Sequence, residues 1–206
     1  GFINKIEARL QNRRGASIFQ PYYNLIKLLR KDAVVSETAS WIFRATPYVT
    51  FISILIIALL VPVLSSAVPA NFTGDVILII YLFALGRFFL ALSSLDTGSA
   101  FGGMGGMREM MVSTMAEPAL MLSVFTVSLA TGSTNLGNIT SIIVDQSTIL
   151  LNPSLFLAFA ALAIVIIAEA GRIPVDNPFT HLELTMIHEG MILEFSGRYL
   201  ALIEWA

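Results

Sequence analysis

Two ionisable side chains stand inside long apolar runs of this sequence, where a charge is costly to bury. Arg87 and Glu117 each lie near the middle of such a run. Charged groups in these positions are rare, are usually paired and usually mark a functional path. Both lie roughly 12–14 Å from the segment that joins the two runs, at about 1.5 Å per residue of helix. We therefore predict that Arg87 and Glu117 pair between neighbouring helices, either within an ion path or as a structural pair that only fixes packing.

Further carboxylates lie toward the same ends of the apolar runs. Glu169 closes a later run, and Glu204 lies about two turns into the last one. Burial raises the pKa of carboxyl groups, so acids at graded depth can pass protons or other ions. For Glu109, Glu169 and Glu194 the alternative is a solvated position at a helix end. The predicted relay comprises Glu117, Arg87, Glu169, Glu204, Glu194 and Glu109.

A long charged segment, residues 172–196, separates the last two apolar runs. Pro174 and Pro178 prevent a continuous helix there. Charged segments of this length are typical of docking surfaces. We predict that partner proteins dock on Arg108, Arg172, Asp176 and Glu183.

The sequence predicts no catalytic residue, cofactor ligand or metal ligand. Cysteine is absent, so Cys-ligated clusters and disulfides are excluded. His181 and His188 are seven positions apart, and the zinc signature His-Glu-x-x-His does not occur. Five glycines between Gly98 and Arg108 lack the Lys-Ser/Thr ending of a phosphate-binding loop. We interpret this segment as a loop that allows close packing.

The composition favours lipid as the solvent for most of the chain. The apolar fraction is 56%, the charged fraction 13% and the mean hydropathy +0.79, against about 45–50% apolar and about 25% charged in soluble domains. We predict an all-α, polytopic transmembrane helix bundle. Because about ten residues cannot cross a bilayer roughly 30 Å thick, we interpret residues 1–206 as a single membrane domain that is a fragment. Its four predicted spans cover residues 47–65, 75–95, 108–131 and 153–171, and a fifth helix starts over 197–206.

Charge is distributed unevenly along the chain. Eight of the twelve Lys and Arg residues precede residue 45, and the rest of the chain has no basic stripe of the kind that binds nucleic acid. Residues 1–45 are predicted to form a cytoplasmic amphipathic segment with a helix on the membrane surface. The alternative for this helix is an ordinary soluble amphipathic helix. Residues 67–74 and 132–148 contain no Lys or Arg. The positive-inside rule therefore places the N-terminal segment and residues 96–107 and 172–196 on the cytoplasmic side of the cell membrane.

Several motifs resemble subunit 1 of respiratory NADH dehydrogenase (complex I), and together they cover almost the whole chain. One follows residue 6 and reads Glu-Ala-Arg-Leu-Gln-Asn-Arg-Arg-Gly. A second motif combines Gly106-Met-Arg108 with Glu117, nine residues later. A third motif reads Ala168-Glu169-x-x-Arg172-x-Pro174-x-Asp176-x-Pro178. It is followed by Glu183 and by Glu194-Phe-Ser-Gly197. Within this family the chain is most similar to the membrane subunit of formate hydrogenlyase and other group 4 membrane-bound nickel–iron hydrogenases. That likeness rests on Leu95-Asp-Thr-Gly-Ser99, the glycine-rich segment and Thr180-His-Leu-Glu-Leu.

The resemblance implies a non-catalytic subunit with a chain of buried acids. It implies docking to a large hydrogenase-like subunit and a small Fe–S subunit, next to antiporter-like membrane subunits. Fe–S clusters and a Ni–Fe centre would lie in those partners, with no cofactor in this chain. Phe179 and His181 replace glutamates typical of complex I, and Glu204 lies about one turn early. These departures argue against quinone binding and leave the acid relay in place.

The leading hypothesis is a membrane-anchoring and coupling subunit of a membrane-bound hydrogenase or formate hydrogenlyase, linking electron transfer to proton or sodium translocation. The alternative is the quinone-chamber subunit of an NADH or F420H2 dehydrogenase. A stand-alone secondary transporter is a third hypothesis; such proteins often contain internal repeats, and this sequence shows none.

Overall fold

The computed structural model of the chain describes residues 2–13, 15–61, 75–145, 152–171, 175–176 and 187–206. These residues form α-helices joined by short turns, and no β-strand occurs among them. The all-α prediction is therefore confirmed. The helices are α1 Phe2–Leu10, α2 Gln20–Leu29, α3 Trp41–Leu60, α4 Val76–Asp96, α5 Ala100–Thr131, α6 Leu136–Asp145, α7 Pro153–Glu169, α8 His188–Ile192 and α9 Gly197–Trp205.

Three helices of the described part are long and apolar enough to cross a bilayer: α3, α4 and α5, with 20, 21 and 32 residues. The apolar helix α7 has 17 residues, which at about 1.5 Å each amounts to roughly 26 Å. α3 begins six residues before the predicted start of the first span, because Ser40 caps it by accepting a hydrogen bond from the amide of Ile42. Pro47 lies inside α3 and does not mark its start.

The predicted glycine-rich loop is mostly helix, which corrects the sequence interpretation. Ser99 caps α5 by accepting a hydrogen bond from the Gly102 amide at 3.1 Å, and the helix continues from Ala100. A Cβ at Gly106 would overlap the Ser94 hydroxyl of α4, and a Cβ at Gly105 would meet the Ile187 carbonyl oxygen at 2.9 Å. The glycines serve close packing, as predicted, but they do so from a helical face.

Residues 132–148 connect two of the predicted spans, and residues 136–145 of this connection form helix α6. The chain reaches α6 through Gly132, whose φ of 69° ends α5 in the left-handed conformation. The amide of Val76 donates to the carbonyl oxygen of Thr134 at 3.0 Å, so the start of α4 and the start of α6 share one end of the bundle. Ile139 of α6 packs against Val76 and Ile80 in a buried apolar cluster.

The opposite end of the bundle gathers three segments that are far apart in sequence. Ser196 Oγ accepts a hydrogen bond from the Val34 amide at 2.8 Å, and the Ser40 amide donates to Asp96 Oδ2 at 2.7 Å. Phe43 of α3 stacks on Phe195, with ring centroids 4.1 Å apart. The segment that precedes α3, the α4–α5 turn and the α8–α9 segment therefore lie on the same side.

Candidate functional site

The Arg87 side chain forms the centre of a charged cluster between α4, α5 and α7. Its Nη1 atom contacts Glu169 Oε2 at the end of α7 and lies 4.0 Å from Glu117 Oε1 of α5. The same Nη1 donates a hydrogen bond to Ser113 Oγ at 3.1 Å. The Arg87 and Glu169 side chains are 18% and 19% exposed, whereas Glu117 is 40% exposed. One guanidinium nitrogen thus lies close to two carboxylates, of which Glu169 is the more buried.

The register of the α4–α5 hairpin determines what faces Arg87. Gly106 lies against Ser94, and the same antiparallel register brings Arg87 opposite Ser113 about two turns deeper. Glu117 lies one turn beyond Ser113 on the same face. The predicted Arg87–Glu117 pair is therefore present, but Glu169 is the nearer partner. Glu117 lies about one turn deeper than the sequence predicted, because α5 begins at Ala100 and not at residue 108.

A cavity of about 400 Å³ opens on one side of Arg87. Its wall is mostly apolar and is built from α3, α4, α5, α7 and α8. Among the described residues, the ionisable side chains on this wall are those of Arg87, Glu109, Glu169 and His188. Oε1 of Glu169 is buried and has no hydrogen-bond partner among the described residues. Few converging polar groups in an apolar wall are typical of a ligand or ion site.

A second cavity of about 200 Å³ lies on the other side of the α4–α5 contact. It is lined by residues of α4 and α5 alone within the described part of the chain, and its ionisable groups there are Arg87 and Glu117. The side chains of Ser113 and Thr114 add two hydroxyl groups to this wall. The arrangement can hold a mobile proton or a small cation between fixed oxygen atoms.

His188, the first residue of α8, adds a titratable group to the wall of the larger cavity, and the sequence predicted no function for it. The side chain keeps an exposed surface at the rim of the larger cavity. The surrounding protein atoms reduce its hydration, which lowers the pKa of the imidazole from the usual 6.5. The carboxylates of Glu189 and Asp176 oppose this shift. The imidazole is therefore neutral at pH 7 and can accept a proton.

The remaining members of the predicted relay do not join the cluster. Glu194 is exposed near the end of α8, and Glu204 is exposed on α9, where it lines a separate cavity of about 220 Å³ beside α2. Glu109 lines the larger cavity one turn before Ser113 and is half-buried. The structure therefore brings together four of the six predicted relay residues, namely Arg87, Glu109, Glu117 and Glu169.

The predicted docking residues occupy different environments. Arg108 is exposed on the first half of α5, as a docking contact requires. Asp176 is 6% exposed, and its Oδ2 accepts a hydrogen bond from the Ile187 amide at 2.9 Å. This hydrogen bond ties the segment after α7 to the start of α8, so Asp176 has a structural role within this chain. Arg172 and Glu183 lie outside the described residues.

The whole chain, residues 1–206, matches the family model described as NADH dehydrogenase. This chain belongs to that family. Formate hydrogenlyase subunit 4 of Escherichia coli (strain K12) is 38% identical to it over 205 residues, which are 100% of this chain and 66% of the relative. Hydrogenase-4 component C of the same strain is also 38% identical, covering 100% of this chain and 64% of the relative. The chain thus spans just under two thirds of these relatives, and the resemblance read from its motifs is confirmed.

More distant members of the family show the same coverage. NADH-ubiquinone oxidoreductase chain 1 of Chondrus crispus is 27% identical over 212 residues, covering 97% of this chain and 64% of the relative. Among solved structures, a chain of the membrane-bound sulfane sulfur reductase, an archaeal respiratory membrane complex, superposes with a TM-score of 0.77. It is 21% identical and covers 98% of this chain and 65% of that one, so this likeness establishes a shared fold.

Proposed function

We propose that this chain anchors and couples a multisubunit oxidoreductase of the membrane-bound hydrogenase or formate hydrogenlyase type. In this role it links electron transfer in peripheral subunits to proton or sodium translocation across the cell membrane. The observation that carries the proposal is the Arg87–Glu169–Glu117 cluster, in which three ionisable groups meet between apolar helices. The names of the relatives at 38% identity support a hydrogenase setting.

The cluster is better suited to ion movement than to packing alone. A structural ion pair in an apolar setting is satisfied by one partner, and a third charge adds desolvation cost without need. Here Glu117 lies 4.0 Å from an arginine that already contacts Glu169. Both carboxylates also border cavities. An acid with access to a cavity can exchange protons, whereas an acid sealed in a packed core cannot.

The test is ion uptake by vesicles that contain the whole complex, measured together with redox turnover. Glu169→Gln keeps the size of the side chain and removes its charge. We expect the number of ions taken up per electron pair to fall at least tenfold. Asp145→Asn is the matched control, because Asp145 is an exposed carboxylate at the end of α6, and it should keep the wild-type ratio. A wild-type ratio in Glu169→Gln would refute the relay.

The proposed partners are a large hydrogenase-like subunit and a small Fe–S subunit, which supply the Ni–Fe centre and the clusters, with antiporter-like subunits alongside in the membrane. Two features support docking: the exposed Arg108, near the end of the bundle where Val34 contacts Ser196, and the charged sequence of residues 172–196. Arg172→Glu should release the soluble module from membranes, and Arg9→Glu on the exposed side of α1 should not. Retention of an active module by Arg172→Glu would contradict docking here.

A quinone-chamber subunit of an NADH or F420H2 dehydrogenase is the second candidate. One observation favours it: the larger cavity of about 400 Å³ falls within the range of about 300–1,000 Å³ found for small-molecule sites. A photoreactive quinone added to the purified complex discriminates the two. Labelling of α3 or α7 residues that line this cavity would favour the dehydrogenase, and its absence the hydrogenase.

A further inference from the structure

We propose that Arg87 is a switch that separates two cavities and exchanges between Glu169 and Glu117 as its alternative partners. This inference rests on the proposed ion-coupling function and adds to it the group that moves. The position of Arg87 between the cavities and the two carboxylates that share its Nη1 atom carry the inference.

The two acids belong to different cavities. Glu169 lines the larger cavity, with Glu109 and His188, and Glu117 lines the smaller one. Among the described residues, Arg87 alone lines both. Arg87 therefore lies between the two cavities, and its positive charge stands beside the shortest path from one to the other. A fixed cation repels a passing proton, so the barrier opens only when Arg87 moves.

Ser113 provides the pivot for such a movement. Its hydroxyl group, on a residue that is 5% exposed, accepts a hydrogen bond from Arg87 Nη1 at 3.1 Å. Glu109, Ser113 and Glu117 follow one another at four-residue spacing along one face of α5. A guanidinium that keeps this hydrogen bond can turn from Glu169 toward Glu117 over a short distance, because Glu117 Oε1 already lies 4.0 Å away. Arginine has five N–H donors, so it can keep one bond while it exchanges another.

The charged and titratable groups around Arg87 define the proton steps. α7 contributes Glu169, α5 contributes Glu109 and Glu117, and α8 contributes His188, while the wall residues of α3 are uncharged. Arg87 keeps its proton throughout. In the first state it pairs with ionised Glu169, and Glu117 is protonated. When Arg87 turns to Glu117, Glu117 releases its proton into the smaller cavity and Glu169 takes one from the larger cavity.

The return movement closes the cycle. As Arg87 goes back to Glu169, the Glu169 proton passes to Glu117 and restores the first state. One proton has then moved from the larger cavity to the smaller one, and no charge is created or lost in the cluster. Two carboxylates held within reach of one guanidinium cannot both be fully stabilised by it, so each state leaves one acid ready to bind a proton.

The test compares variants of Glu117 in vesicles that contain the whole complex. Glu117→Gln leaves Arg87 paired with Glu169 alone, and ion uptake per electron pair should fall at least tenfold. Glu117→Asp keeps the acid and should restore part of the uptake, with a shifted pH profile. Thr126→Ala is the control on the same helix, because its hydroxyl bonds only the helix backbone at Leu122, and it should match the wild type.

Two outcomes separate this inference from the proposed function. If Glu169→Gln also keeps wild-type uptake, the proposed coupling function fails as a whole. If Glu169→Gln loses uptake while Glu117→Gln keeps it, the coupling function stands and the switch is overturned. A second measurement is passive: Arg87→Gln should leak protons down an imposed pH gradient, and the leak should vanish in Arg87→Gln/Glu117→Gln. If Arg87→Gln does not assemble, the comparison of Glu117→Gln with Glu117→Asp decides.

Discussion

At the scale of single residues, the cluster contains more acids than its one arginine can neutralise. Arg87 stays protonated at any pH that proteins tolerate, whereas Glu109, Glu117 and Glu169 compete for its charge. The only neutral base on the same cavity wall, within the described residues, is His188. Its exposed position on the wall of this cavity suits a group that receives protons before they reach Glu169.

We expect the pH dependence of stability to contain a contribution from His188. Its pKa is lowered in the folded protein, so folding favours the neutral imidazole. The stabilisation is complete above the usual pKa of 6.5 and is lost as pH falls through the lower, folded-state value. The melting temperature of the purified complex should therefore fall below about pH 6.5, and His188→Gln should reduce that fall. An unchanged fall in His188→Gln would contradict this.

At the scale of elements, α5 packs closely against two other helices, α4 and α8. One part of its surface lies against α4 through Gly102 and Gly106, and another lies against α8 through Gly105. Gly190 of α8 approaches the same turn of α5, where a Cβ would lie 3.7 Å from the Gly105 Cα. Because backbone lies against backbone here, α8 holds His188 at the cavity through contacts that leave almost no free space.

Gly105→Ala should loosen α8. Its Cβ would meet the Ile187 carbonyl oxygen at 2.9 Å and the Met191 amide at 3.1 Å, and backbone atoms cannot move aside cheaply. Overpacking of this kind typically costs about 1–3 kcal/mol. At Gly103 a Cβ meets nothing within 4 Å, so Gly103→Ala should be neutral or stabilise by up to about 1 kcal/mol. Melting temperatures of the two complexes test this; equal values would contradict the close α5–α8 contact.

At the scale of the whole molecule, the two ends of the bundle differ in charge. The end formed by the segment before α3, the α4–α5 turn and the α8–α9 segment adjoins the basic N-terminal residues. The end formed by the starts of α4 and α6 carries no Lys or Arg over residues 132–148. This asymmetry predicts that the basic end faces the cytoplasm.

Single cysteines test that orientation, since the chain has none of its own. Ser36→Cys and Glu194→Cys are exposed at the basic end, and Asn138→Cys is exposed at the other end. A membrane-impermeant thiol reagent added outside intact cells should label Asn138→Cys only. Labelling of Ser36→Cys or Glu194→Cys from outside would reverse the topology. Thiol labelling in inverted vesicles provides the matched control.

The sequence predicted the helical class and the Arg87–Glu117 pair because both depend on local patterns, namely apolar run length and helical rise. It did not predict Glu169 as the nearer partner of Arg87, because that contact depends on how α7 packs against α4 and α5. It also placed a loop where α5 begins, since glycines weaken helix propensity. Tertiary packing against Ser94 and Ile187 overrides that propensity here, and no feature of the local sequence reports it.

The central claim is that the Arg87 cluster links redox turnover to ion movement. The most direct test measures the rate of redox turnover with and without an opposing ion gradient. Moving one elementary charge against 100 mV costs about 2.3 kcal/mol, so an opposing gradient must slow a coupled complex. In sealed vesicles, collapsing the gradient with an ionophore should accelerate redox turnover of the wild type and leave the turnover of Glu169→Gln unchanged. If wild-type turnover does not respond to the gradient, the chain is an anchor and the account of coupling is wrong.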